Sequence, residues 1–295
     1  MRWEGEDMKK AKPRYKRFTR SRLGNFLFFT ILILAGLYTI LPLIYSIVTS
    51  FKPLDELLAF PPKFYVTRPT LKNYSILPEL LSDLDVPFAR YVFNTLFLSV
   101  VISALHVIVA SMSAFVMCQV RNKWTGLLFA LVQFALLYNA TTLAVPQYYI
   151  FSKLNIIDTY WAYILPMLPS TMGVFLIKQY MDGAIPEALI EAARIDGAGV
   201  LRIFWQVVMP LVKPAWMTLT LFIFRDSWAL QPGGTIFSES LKTLPNILSQ
   251  ITSSGIARSG SAMAATVLLM IPPVLIYFVT QSNVMETMSS AGIKE

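Results

Sequence analysis

Six apolar runs divide the chain, at about 24–49, 91–119, 125–149, 159–180, 213–232 and 262–282. Each is long enough for a helix rising 1.5 Å per residue to cross roughly 30 Å of hydrocarbon. A bilayer core offers the backbone no water, so such runs must close their own hydrogen bonds as helices. The short alternating segments of a membrane barrel are not seen. Pro42, Pro146, Pro166 and the pair Pro272–Pro273 are placed to kink or end helices. The pattern predicts an all-α polytopic membrane protein with six transmembrane helices and a cytoplasmic island between helices 4 and 5.

Polar segments between the runs carry the sidedness. Arg2, Lys9, Lys10, Lys12, Arg14, Lys16, Arg17, Arg20 and Arg22 crowd a basic tail, residues 1–23, ahead of the first span at 24–50. Arg121 and Lys123, then Lys178, Arg194, Arg202 and Lys213, then Lys294, fall on the same side as that tail if there are six spans. The positive-inside rule makes that side cytoplasmic, with both termini inside and 286–295 as a C-terminal tail. The segments 51–90, rich in proline, and 233–261, rich in Gly, Ser and Thr, then lie outside. The basic tail stands directly before an apolar span, which favours a topology signal touching anionic lipid over a nucleic-acid arm. The first run is too long for a signal-peptide core and reads as an uncleaved span.

Composition agrees. The 295 residues are 55% hydrophobic and 14% charged, and mean hydropathy is +0.57; a soluble chain carries about 25% charged residues. Net charge is +8, with one cysteine and one histidine. A single Cys118 excludes an intramolecular disulfide, and a lone His106 beside it makes a His/Cys zinc site a poor fit. His106 lies within an apolar run, where packing or a helix–helix hydrogen bond is the default reading over a proton relay.

The island Pro186–Pro210, PEALIEAARIDGAGVLRIFWQVVMP, is far longer than a connection needs. Ile185–Pro186–Glu187 opens a helix, with proline at its start and an acid on the positive end of the dipole. The helix can run to Asp196, and Gly197 supplies the permissive backbone that ends it. A second short helix runs from about Val200 to Met209. Glu187, Glu191 and Arg194 share one face, and Ala188, Ala192 and Ile195 form a small apolar stripe beside it. The second helix, with Phe204, Trp205, Val207 and Val208, is apolar enough to lie on membrane helices or enter a partner's groove.

EAARIDGAG followed by VVMPLVKPA resembles the EAA loop of the integral permease subunits of ABC importers. Ile-Pro before it, Asp-Gly within it and Leu-x-Lys-Pro after it are similar to the carbohydrate-uptake branch, which includes the smaller maltose-type permease. PTLKNYSIL, NIIDTYWAYILP, AATVLLMIPPVLIYFVTQ and AGIKE extend the likeness from about residue 67 onward. The resemblance implies a permease core at 91–285 with the EAA loop at 186–210 as coupling helix. It also implies partners: a cytoplasmic ABC ATPase dimer, a second homologous permease subunit and an extracytoplasmic solute-binding protein, in a bacterial or archaeal cytoplasmic membrane, with no role for nucleic acid. Glu187, Glu191, Ala192, Ala193, Asp196, Gly197 and Pro210 would contact or shape the coupling to the ATPase. No Walker A sequence is present. The resemblance therefore implies no catalytic residue, metal or cofactor on this chain, with ATP and Mg held by the partner ATPase.

Polar residues inside spans are expensive and mark candidate paths. Gln133 and Asn139 in span three and Arg225–Asp226 in span five stand out. Tyr138, Trp228 and Gln231 join them, since aromatic faces and hydrogen-bonding side chains suit sugars. The competing reading makes Gln133 and Asn139 helix–helix glue and pairs Arg225 with Asp226. Here the chain departs from the family: after Ser227–Trp228 the family often continues Asn-Asp, whereas this chain has Ala229–Leu230. The cargo implied is a carbohydrate, with an oligosaccharide favoured, and a peptide, amino acid or polyamine as the alternative. An intramembrane protease lacks its facing aspartates or a serine–histidine signature, and a free-standing secondary transporter would have to work without ATP.

Overall fold

The computed structural model describes residues 22–82, 86–120, 122–137, 140–231, 233–253 and 258–292. Most of the basic tail, Arg121, Tyr138, Asn139 and Lys294 lie outside the described residues. Every regular element among the described residues is helical: α1 Arg22–Ser50, α2 Leu54–Leu57, α3 Lys72–Ser82, α4 Phe88–Gln119, α5 Lys123–Ala135, α6 Ala144–Lys153 and α7 Trp161–Met167. The chain continues with α8 Thr171–Ala184, α9 Glu187–Ile195, α10 Val200–Ile203, α11 Met209–Leu211, α12 Lys213–Trp228, α13 Leu244–Ser253 and α14 Ser259–Gly292. The chain divides into two compact units at Tyr45 and Ser46. In the first, α1 is apolar all round and runs through Pro42 without ending.

The helices α1, α4 and α14 are each long and apolar enough to cross a membrane, so the protein is a multi-pass membrane protein. Counting the pairs α7–α8, bent by 43°, and α10–α11 with α12, bent by 81°, as single spans gives up to five among the described residues. The third apolar run is not one helix. It splits into α5 and α6 around a 3₁₀ turn at Ala140–Leu143. Pro146 has no N–H for the Thr142 carbonyl and its ring would clash with it, so the helix restarts at Ala144.

In the second unit α4 is the axial member. It packs on α8 and α12, and α12 packs on α14. Ala110 and Ala114, fully buried, let neighbouring backbones approach α4 closely. The main core gathers Leu98, Ile102, Ile177, Ile190, Ile203, Phe204, Val208 and Leu219 from these helices and the island. Gly173 is required by space: a Cβ there would stand 2.0 Å from Ser170 Oγ and 2.8 Å from Leu219 Cδ2.

The segments 51–90 and 233–261 carry helices α2, α3 and α13, and they share a second core. Leu77 of α3 packs with Tyr91 of α4, Leu244, Ile247 and Leu248 of α13, and Ala264 and Ala265 of α14. Polar stitching reinforces it. Asn94 Nδ2 donates to the carbonyls of Ser240 and Lys242 at 2.8 and 2.9 Å, and Asn94 Oδ1 accepts from Tyr160 Oη at 2.8 Å. Leu244 N–H donates to Thr95 Oγ1 at 2.8 Å. Asp158, at a left-handed φ of 59°, accepts from the N–H groups of Phe237 and Ser238 at 2.9 and 2.8 Å and from the Ser238 hydroxyl. These bonds hold its carboxyl below the usual carboxylate range, the Ser238 hydroxyl foremost, with burial opposing. Asn73 Nδ2 ties α3 to the end of α1 through the carbonyls of Ser50 and Lys52, both at 2.8 Å.

Candidate functional site

The island folds as a bent knob at the far end of α4 from this second core. Glu187 follows an extended Pro186, whose carbonyl accepts from Leu189 N–H at 3.1 Å. The helix closes in a Schellman motif: Gly197 N–H bonds the Arg194 carbonyl and Ala198 N–H the Ala193 carbonyl, both at 3.0 Å. Gly197 has φ +78°, and a Cβ there would meet nothing within 4 Å. Its role is therefore conformational rather than spatial.

The second half departs from a plain helix. After α10, a π-helical stretch spans Phe204–Val208, with Met209 N–H reaching the Phe204 carbonyl. Pro210 lacks the N–H that would serve the Gln206 carbonyl in α register, and the widened turn accommodates this. Phe204 and Val208 turn inward, and the Phe204 ring lies 5.5 Å from that of Phe115 on α4. The chain then turns into α12 at Val212, braced by Trp216 Nε1 donating to the Met209 carbonyl at 3.0 Å. Pro210 and Pro214 flank that corner, each in the first turn of its helix.

The underside and the outer face differ sharply. Ile190 and Ile203 are buried, Ala193 is half-buried, and Arg194 Nη2 donates to Gln119 Oε1 at the end of α4, at 3.0 Å. Glu187, Glu191, Ala192, Asp196, Gly197 and Pro210 are exposed. Ile195 is 86% exposed, and Val200, Leu201 and Trp205 stand open beside it. An acidic edge and an apolar tip on a rigid scaffold form a surface suited to a complementary groove. The sequence did not single out Val200 and Leu201, although two adjacent aliphatics after a Gly-Ala-Gly hinge were a signal. The Arg194–Gln119 link joins residues 75 positions apart, which no local pattern reveals.

The candidate path residues divide. Arg225 and Asp226 are exposed and bonded to each other, with Arg225 Nη2 and Nε at 2.9 and 3.1 Å from Asp226 Oδ1. Gln231, beyond the end of α12, is exposed. Gln133 is exposed on a different helix, α5, which packs on α8 and α4. Trp228 corrects the expectation: it is 5% exposed, stacks on Phe224 and donates its indole N–H to the Leu269 carbonyl at 2.9 Å. It seals α12 against α14 and is not available as a sugar platform in this arrangement. Tyr138 and Asn139 lie outside the described residues.

The geometry defines a helical multi-pass membrane protein with a bent, solvent-exposed knob between two spans. No protein-family model matches the chain. The inner membrane ABC transporter permease protein YcjP of Escherichia coli K12 is 28% identical over 280 residues, covering 94% of this chain and 98% of that protein. The sn-glycerol-3-phosphate transport system permease protein UgpE of Yersinia enterocolitica is 32% identical over 201 residues, covering 67% and 71%. A solved bacterial ABC transporter, involved in the import of the acidic polysaccharide alginate, shares the fold, with a TM-score of 0.74 over 89% of this chain and 98% of that one, at 22% identity. The chain belongs to the family of ABC transporter permease subunits. It is a non-catalytic subunit, and ATP hydrolysis belongs to a separate ATPase.

Proposed function

We propose that this subunit passes a carbohydrate, with an oligosaccharide as the favoured class, across a bacterial or archaeal cytoplasmic membrane, and that it forms half of the path with a second, homologous permease. The knob 186–210 seats in a cytoplasmic ABC ATPase dimer, which holds the ATP and Mg. An extracytoplasmic solute-binding protein delivers the cargo to the stitched end, and lipid surrounds the apolar flanks. Six spans, with both termini inside, complete the topology. Arg121, Lys123, Arg194 and Arg202 fit that orientation under the positive-inside rule. A relative named for arabinooligosaccharides (from Bacillus subtilis, 26% identical) supports the cargo class, and the one named for sn-glycerol-3-phosphate agrees with a small polyhydroxylated solute. Arg225, Asp226, Gln231 and Gln133 remain the candidate path residues, together with Tyr138 and Asn139.

The observation that carries the coupling role is the solvent-facing acidic and apolar surface of α9 and α10, held on buried Ile190, Ile203 and Phe204. A knob fixed to its own bundle moves with its socket, so closure of the ATPase dimer can bias inward- against outward-open forms. The test is Glu191→Lys in the co-expressed transporter. The charge reversal should cut recovery of the ATPase with the membrane subunits and stop ATP-driven uptake, while thermal unfolding in detergent stays unchanged. Full recovery and normal uptake in that variant would sink the coupling role. Competition by unlabelled oligosaccharides supports the cargo, whereas saturable uptake of peptides alone would replace it.

A further inference from the structure

Span four is broken, and the break is closed by a side chain from another helix. From the last turn of α7 to the start of α8 the chain reads Pro166–Met167–Leu168–Pro169–Ser170. Two prolines remove two backbone donors, and the axis bends by 43°. In a continuous helix the Met167 carbonyl would take the N–H of Thr171. Here His106 of α4 takes it instead: His106 Nδ1 lies 2.6 Å from the Met167 oxygen. A carbonyl only accepts, so Nδ1 carries the proton. The other ring nitrogen, Nε2, then accepts from the Ser170 hydroxyl. Ser170 stands at the N-cap of α8, makes no side-chain cap bond and turns its hydroxyl to the histidine. His106 and Ser170 are both buried. Gly173 closes the joint from the side of α12, since any side chain there would collide with Ser170 and Leu219.

One imidazole on α4 thus holds both lips of the bend, and the bend cannot open without breaking its bonds. The position of the joint matters. Only Ile185 and Pro186 separate the end of α8 from α9. Displacement of the knob enters the bundle along α12 on one side and α8 on the other, and α8 is a lever whose fixed point is this break. We infer that His106 is a positioning residue for energy coupling: it sets the angle and stiffness of the α7–α8 joint, so that knob motion swings α8 instead of being absorbed as a change of bend. This rests on the coupling role proposed above.

The test uses the whole transporter, reconstituted in liposomes with its ATPase and binding protein, and reads solute imported per ATP hydrolysed alongside hydrolysis itself. His106→Phe keeps ring volume but bonds neither lip. It should leave ATPase association and basal hydrolysis within about twofold while lowering solute per ATP by about tenfold, the scale on which an unpaired buried carbonyl shifts an equilibrium. His106→Asn can still offer an amide donor to the Met167 oxygen and should recover most of that ratio. Ser170→Ala, which frees Nε2 only, should give an intermediate loss. A wild-type ratio in His106→Phe overturns the inference. So does His106→Asn behaving no better than His106→Phe, or a parallel loss of assembly and transport in every variant, which marks a packing role alone. Should His106→Phe fail to assemble, His106→Asn and Ser170→Ala decide by the same ratio. Absence of ATP-driven uptake in the unmodified complex would instead overturn the functional reading beneath it.

Discussion

Gly197 offers the sharpest test of the knob, because its conformational and spatial demands separate cleanly. Its φ of +78° is left-handed, and a Cβ at that point would meet nothing within 4 Å. A substitution therefore adds backbone strain without a clash. Placing an L-residue in that region costs roughly 1–2 kcal/mol. Loss of unfolded-state freedom offsets part of this for alanine, by about 0.4–1 kcal/mol, leaving a net penalty near 1 kcal/mol. That is a factor of about five in the population of the bent loop. Asparagine tolerates the region better, and a β-branched residue worse. Proline goes further: it fixes φ at about −65° and removes the N–H that bonds the Arg194 carbonyl.

The expected order of ATPase recovery and ATP-driven uptake is thus Gly, Asn, Ala, Val, with Pro lowest. Thermal unfolding of the permease in detergent should move far less than uptake, since only the exposed turn is perturbed. The reasoning is refuted if Ala and Val match the wild type, or if Asn falls below Val. Either result would mean that the turn is not held in its left-handed form when the knob is engaged.

Two further outcomes concern the opposite end of α4. Asn94→Leu keeps the branched shape of a fully buried side chain but removes the donor to the Lys242 carbonyl and the acceptor of the Tyr160 hydroxyl, while Arg90 still donates to the Ser240 carbonyl and to Tyr160 Oη, both at 3.3 Å; it should destabilise by about 1–3 kcal/mol, seen as a lower Tm in detergent and faster proteolysis within 233–253. Unchanged values would show that the clasp contributes little. Asp158 has its folded pKa depressed by the Ser238 hydroxyl and two N–H groups, so the carboxylate adds stability above the ordinary value of 3.8 and loses it as pH falls below that toward the folded value. Asp158→Asn keeps a side chain that accepts φ +59° and should flatten this acid-side decline in Tm; a decline of the same steepness in the variant would remove Asp158 as its source.

How much of this was legible in the sequence depended on whether the cause was local. Gly197 ending α9 could be read directly, because the residue that permits a left-handed cap is itself the signal. Pro146 was legible as a break, but its consequence was larger than a kink: the third apolar run became two helices. Hydropathy measures transfer to lipid and is blind to whether the helix continues. Pro42 and Pro272–Pro273 show the converse, lying inside α1 and α14 without ending them. The loops expected at 51–90 and 233–261 concealed a shared core, since Leu77 and Ile247 find each other across 170 residues only once α4 and α14 are packed. Trp228 was misread for a related reason. An aromatic near polar residues looks like a sugar platform until the carbonyl of Leu269 is seen to take its N–H.

The geometry also constrains how the two ends communicate. At 32 residues and 1.5 Å per residue, α4 is about 48 Å long, with Asn94 clasped at one end and Gln119 bonded to Arg194 at the other. No single hydrogen-bonded chain is needed across that distance. The knob is continuous with α8 before it and, through the 81° corner, with α12 after it, and both helices pack on α4. On the coupling role proposed above, one push on α9 and α10 loads two levers against a common post. The small buried residues Ala110 and Ala114 and the glycine at 173 keep those contacts close, so the levers slide or tilt as bodies and do not deform. The two ends of the bundle are then linked by rigid packing, and softening either lever at its joint should uncouple them without unfolding either end.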